Sequence, residues 1–114
     1  MEINDRIIQE YVPGKQITVA HVIAKPDSEL YQKMGIIQTA NEAVGILTIT
    51  PSEASIIAVD IAIKSAEIEI GFVDRFSGAV VIIGDVLSVR IALDNVLETM
   101  KSLLGFTVVP LSTT

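Results

Sequence analysis

Between Leu47 and Val86 the apolar positions change period twice, and in doing so they write a strand, a capped helix and a hairpin in order. Val44 to Ile49 reads as a strand. At Thr50 the pattern turns helical: Thr50 is placed to cap, Pro51 sits at the first helical position, and Glu53 completes the spacing of a capping box. Ala54, Ile57, Ala58, Ile61 and Ala62 then recur at helical spacing. They form an alanine-rich face that lets a helix lie close to a sheet, with Ser55 and Asp60 on the opposite side.

From Glu67 to Asp74 the period drops to two, with Ile68, Ile70 and Phe72 on one face and Glu67, Glu69 and Gly71 on the other. This is the pattern of a half-buried strand. Asp74, Arg75, Phe76, Ser77 and Gly78 make a turn, and the apolar run Ala79 to Ile83 is the returning strand. Asp85 caps a second helix, in which Val89, Ala92, Leu93, Val96, Met100 and Leu103 keep the 3.6-residue period until Gly105 stops it. Phe106 to Leu111 reads as extended.

From Val44 onward the order is therefore strand, helix, strand, strand, helix, strand, the ferredoxin-like split arrangement of an α+β fold with helices packed on an antiparallel sheet. Ahead of it lie a strong strand, Ile17 to Ala24, and a short helix, Ser28 to Met34, closed by Gly35. That is one strand and one helix too many. Ile17 to Ala24 and Phe106 to Leu111 compete for the fourth sheet position, and pattern alone does not choose between them. A circular permutation of a known unit would account for the surplus.

Length and composition narrow the function. The 114 residues suit one layered core. Hydrophobic residues make up 50% and charged residues 19%, below the usual charged share of roughly 25%, so part of the apolar surface is expected to meet other subunits. A net charge of -6 repels phosphate backbones, which makes nucleic acid an improbable partner. The absence of cysteine excludes disulfides and thiolate metal sites. The charged start MEINDRIIQEY lacks a signal-peptide core, and no apolar run approaches the roughly 18 residues of a membrane span. The expected location is the cytosol, with no membrane partner.

Candidate chemistry is sparse. His21 is the only histidine; on an ideal strand it shares a face with Ile17, Val19 and Ile23, and a structural role is expected. Gly71, Gly78 and Gly84 fit neither the dinucleotide nor the P-loop spacing and read as turn and packing glycines. Glu67 and Glu69 alternate on one strand face without a visible partner acid or base, as a solvated face does. No catalytic, cofactor or metal site is assigned, and the protein is not expected to be an enzyme.

Three long blocks, IIQEYVPGKQITVAHVIAKP, GILTITPSEASIIAVDIAIKSA and GFVDRFSGAVVIIGDV, carry a resemblance that covers the chain from Arg6 to about Phe106. It resembles the circularly permuted bacterial microcompartment shell proteins of the ethanolamine- and propanediol-utilisation type. In unpermuted members a segment similar to GKQITVAHVIAKP closes the chain after the second long helix, whereas here it comes first, from Gly14 to Pro26. The resemblance implies that Ile17 to Ala24 fills the fourth sheet position and that residues 14–114 form the permuted domain. It also implies a homohexamer that tiles with other shell proteins around an enzyme core, with cargo enzymes or their targeting peptides as further partners.

The same resemblance implies site residues. The extension 1–13 would supply a strand, Ile7, Ile8, Gln9, Glu10, Tyr11 and Val12, to a six-stranded barrel over the central pore. Six strands lacking intrachain partners would satisfy one another there. Arg75, Phe76, Ser77 and Gly78 match the pore-lining turn, although a plain hairpin turn with Arg75 paired to a carboxylate explains the same residues. Lys64 and Lys25 match basic residues at the edge between hexamers. A lysine late in a helix also suits the helix dipole without further function, and Lys25 lacks the planar fork of the arginine it replaces. A reading of another class stays open beside this one: an oligomeric, ferredoxin-like regulatory domain that senses a small molecule between subunits and is stabilised by it.

Overall fold

The β-branched stretch Gln16–Ile23 forms β1, followed by the short helix α1, Ser28–Met34, in the computed structural model, which describes residues 14–35 and 42–114. The remaining elements are β2 (Ala43–Thr50), α2 (Ala54–Ser65), β3 (Glu69–Asp74), β4 (Ala79–Gly84), α3 (Val86–Leu104) and β5 (Ser112–Thr113). The strands build one sheet in the order β3-β4-β2-β1-β5, antiparallel except for the parallel edge pair β1–β5.

The competition for the fourth position is settled in favour of β1, which pairs with β2 from Gln16↔Thr50 to Ile23↔Val44. The rival segment runs alongside β1 with a single bridge, Gln16↔Thr107, and only Ser112 and Thr113 join the ladder. The barrel residues Ile7 to Val12 lie outside the described residues.

The main core lies between one sheet face and the two long helices. Ile17, Ala20, Val22, Leu47, Ile49, Val80 and Ile82 meet Ala58, Ala62, Val89, Leu93, Val96 and Met100 there. On the other face α1 covers a smaller cluster, Tyr31 with Val44, Val81 and Ile83, and the Tyr31 hydroxyl donates to the Glu42 carbonyl at 2.7 Å. Burial, with the Glu42 carboxylate second, pushes the Tyr31 phenol above its ordinary value.

Four expectations from the pattern are corrected. The capping box does not form: Thr50 stays in the β2 ladder, and α2 begins at Ala54 with no side-chain cap bond. The amides of Ala54, Ser55 and Ile56 are already taken by the carbonyls of Pro51, Ser52 and Glu53 in a tight turn, which leaves a cap little to satisfy. The buried face of α2 is also rotated. Ser55 is fully buried beside Ala54, Ala58 and Ala62, while Ile57 is 46% exposed. The smallest side chains make the seam, because they alone allow close approach.

The strict alternations are interrupted as well. A register shift between Ile17 and Val19 puts Ile17 on the core face with Ala20 and Val22, so His21 does not share its side. In β3, which starts at Glu69, a shift between Ile70 and Phe72 leaves Ile70 half-buried and Phe72 exposed. Finally, Leu103 is 77% exposed, because the chain turns back at Gly105 (φ 72°) and Phe106 closes that end of the core.

The second helix start is as expected. Asp85 accepts from the Ser88 amide at 2.9 Å and from the Ser88 hydroxyl at 2.8 Å.

Candidate functional site

Strand register sorts the surface into two ends. At one end lie Gln16 paired with Thr50 and the β3–β4 turn; at the other lie Ile23 paired with Val44, Ala43 with Gly84 and Glu69 with Ile83. Strands of this length hold the two ends roughly 20–25 Å apart. The sequence-derived candidates divide between them: Arg75, Phe76, Ser77 and Gly78 at the first end, Lys25 and Lys64 at the second.

The turn is held by Asp74. Its Oδ1 accepts from the Phe76 amide at 2.9 Å, its Oδ2 from the Ser77 hydroxyl at 2.9 Å, and its carbonyl from the Gly78 amide at 2.8 Å. The Phe76 amide first, and the Ser77 hydroxyl next, hold the Asp74 carboxyl below the ordinary carboxylate value. Gly78 has φ 80°, and a Cβ there would lie 2.1 Å from the Ile49 carbonyl oxygen. The tip above this anchor is open. Phe76 is 83% exposed, and the Arg75 guanidinium sits 5.2 Å from its ring centroid and pairs with no carboxylate among the described residues.

Beyond the turn, on the β1 side of the same end, is an apolar pocket of about 410 Å³ lined by Lys15, Pro51, Glu53, Ile57, Leu104 and Phe106. Lys15 Nζ donates to the Leu104 carbonyl at 2.7 Å, where a cation suits the end of α3, and lies 5.7 Å from the Phe106 centroid. Sequence reasoning missed this pocket, since its wall comes from three separate segments.

At the far end Lys64 pairs with Asp60 one helical turn earlier, at 2.8 Å with both side chains largely exposed. Lys25 is exposed just past β1 and has no ion pair among the described residues. A polar recess of about 510 Å³ at this end is lined by Glu42, Glu67, Glu69 and Asp85 beside Ile83 and Gly84 of β4. Among the described residues no three of His, Asp or Glu converge as metal ligands would, and no helix is long and apolar enough to cross a membrane.

His21, on the open sheet face, binds the C-terminal segment: Nδ1 meets Ser112 Oγ at 2.5 Å and Nε2 meets Thr114 Oγ1 at 2.8 Å. From the helix side Arg90 Nη1 donates to Thr113 Oγ1 at 2.7 Å. The structural role expected for the histidine is thus to hold β5.

The helix layer leaves large apolar groups uncovered, Ile56 and Ile63 on α2 and Leu87 and Ile91 on α3, each more than 40% exposed. A split α+β sheet with apolar helix flanks and different equipment at its two ends defines a self-associating structural subunit. The BMC domain profile matches residues 43–111, and the chain belongs to the bacterial microcompartment shell protein family. β1 lies ahead of the matched stretch yet completes the same sheet, in keeping with a circularly permuted member.

The chain is 61% identical over 103 residues to the bacterial microcompartment shell protein PduU of Salmonella typhimurium, covering 90% of this chain and 88% of that one. It is 53% identical over 108 residues to the shell protein CutR of Streptococcus intermedius, covering 95% and 91%. Among solved structures, a flat hexamer of CutR superimposes with a TM-score of 0.88 at 51% identity, covering 96% of this chain and all of that one.

Proposed function

We propose that six copies of this chain close a ring and that rings pack edge to edge, with other shell proteins, into the wall around an encapsulated pathway. The supporting observation is the division of the surface: an exposed aromatic turn at one sheet end and exposed lysines at the other, with apolar helix flanks between. Such a subunit turns Arg75, Phe76, Ser77 and Gly78 toward the central opening and Lys25 and Lys64 toward the rim. Its mechanism is assembly, and the flanks bury their apolar surface against neighbours.

Residues 1–13 act as a separate extension from the permuted domain 14–114. The strand Ile7 to Val12, repeated six times, would cover the opening, restrict metabolite passage and offer a docking point for cargo enzymes or their targeting peptides.

Light scattering on a sizing column tests the ring. Six chains of 12.2 kDa give about 73 kDa, and a stable monomer or dimer sinks the proposal. Deleting residues 1–12 should leave the hexamer and widen its opening in electron micrographs. An unchanged opening refutes the barrel. Lys64→Ala should preserve hexamers but reduce their assembly into sheets.

A further inference from the structure

We propose that Lys15 moors the N-terminal extension: its ties to the end of α3 fix the point at which residues 1–13 leave the body, and so position the strand Ile7 to Val12 of each copy over the central opening. The inference rests on the barrel reading and adds to it the residue that places the strands.

Lys15 is tied to one corner of the molecule by both its side chain and its backbone. Its Nζ donates to the Leu104 carbonyl at 2.7 Å and lies 5.7 Å from the Phe106 ring centroid, while its own carbonyl accepts from the Thr107 amide at 3.0 Å. Ile17 continues the hold by donating its amide to the Thr107 carbonyl at 2.8 Å. The Leu104 carbonyl belongs to the last turn of α3, where carbonyls lack partners within the helix and a cation is favoured. Lys15 and Leu104 are 89 residues apart in sequence, so the corner exists only in the folded chain.

The hold of the body on the extension begins at this residue. A Cβ on Gly14 would meet nothing within 4 Å among the described residues. Only Gly14 and Pro13 separate Lys15 from Val12, the last residue of the barrel strand, and three residue steps reach at most roughly 10 Å. Whatever sets the position of Lys15 therefore sets where the strand ends.

That position suits a cover. Gln16 pairs with Thr50, and the Ile49 amide donates to the Gly78 carbonyl, so Lys15 and the turn that faces the opening share one sheet end. β1 and β4 flank β2, two strand spacings or roughly 10 Å apart. The extension thus leaves the body within reach of the opening. A loosely rooted strand has many positions to lose when it joins five others, and a fixed root removes part of that loss beforehand.

Hydrogen exchange read by mass spectrometry on full-chain hexamers tests the mooring. In the parent, the amides of residues 3–12 should be protected by the barrel. Lys15→Met keeps a long apolar stem but loses the donor and the charge; it should retain the hexamer of about 73 kDa and exchange these amides about three- to tenfold faster, the range for loss of one exposed hydrogen bond. Lys15→Arg keeps a cation and a donor and should restore protection. The amides of Leu93 and Val96, buried in the core, should exchange alike in all three proteins.

Equal exchange of residues 3–12 in the parent and in Lys15→Met overturns the mooring and leaves the barrel standing. A loss of protection in Lys15→Arg as large as in Lys15→Met overturns it too, because the cation is then not the tie. Acceleration that spreads to Leu93 and Val96 assigns Lys15 to the stability of the whole fold and removes its special role. Free-peptide exchange of residues 3–12 in the parent hexamer defeats the barrel and the mooring together.

Discussion

Gly78 and Ile49 are locked back to back: the Ile49 amide donates to the Gly78 carbonyl at 3.0 Å, and a Cβ on Gly78 would sit 2.1 Å from the Ile49 carbonyl oxygen. This pair ties the free β3–β4 turn to the central strand β2, so the exposed Phe76 is presented at a set height over the sheet end. A backbone oxygen cannot yield as a flexible side chain can. Gly78→Ala should therefore cost about 1–3 kcal/mol from left-handed strain, with the clash in addition. Chemical denaturation measures it, and a loss below about 0.5 kcal/mol would show that the turn relaxes freely.

Ser55 gives a prediction of the opposite sign. Its hydroxyl is buried in the α2 seam without a hydrogen-bond partner among the described residues, and an unsatisfied buried polar group is destabilising. Ser55→Ala keeps the small volume that the seam requires. The variant should be as stable as the parent or more so, by up to about 1–3 kcal/mol, and a clear drop in its denaturation midpoint would mean the hydroxyl is in fact satisfied.

Asp85 links stability to acid. Hydrogen bonds from the Ser88 amide and then the Ser88 hydroxyl hold its carboxyl below the ordinary value, and Asp74 is lowered in the same way by Phe76 and Ser77. A carboxyl that binds its proton more weakly when folded stabilises the fold above its unfolded pKa, and the gain disappears as pH falls through the folded value. Thermal melts should thus be flat in this contribution from pH 7 to about 5 and fall below about pH 4. Asp85→Asn should lower Tm at pH 7 and flatten the acid limb; parallel curves for parent and variant would refute the linkage.

The C-terminal strand should open before the rest. Only two residues pair in β5, and besides the Thr114 backbone bonds it is held by exposed contacts from His21 and Arg90 and by a long bond from the Ser112 hydroxyl to the Ala20 carbonyl at 3.3 Å. Exposed hydrogen bonds contribute about 0.5–1.5 kcal/mol each. In His21→Ala the amides of Ala24 and Thr114, which bond to Thr114 and Val22, should exchange faster by at least about tenfold, while Leu93 and Val96 in the core keep their protection. Uniform acceleration would place His21 in the global fold instead.

Much of the architecture was legible because each element carried its own local signal. The 3.6-residue recurrence from Val89 to Met100, the Asp85 cap, the Gly105 stop and the Asp74–Gly78 turn depend on neighbours within a few residues, and the structure keeps all of them. The family blocks were legible for the same reason, as continuous runs of sequence. Long-range competition decided the rest. Thr50 could cap a helix or extend a ladder, and pairing with Gln16, distant in sequence, held it in β2.

Whether Ile17 to Ala24 or Phe106 to Leu111 entered the sheet depended on which could pair along a full strand with β2. The bulges after Ile17 and Ile70, which turn Ile17 to the face opposite His21 and expose Phe72, are adjustments to partner strands that alternation cannot encode. By itself, the sequence determined the elements, the turn and the family. Only the tertiary structure decided which residues share an end of the sheet, because the pocket walled by Lys15, Ile57 and Phe106 exists only when distant segments meet.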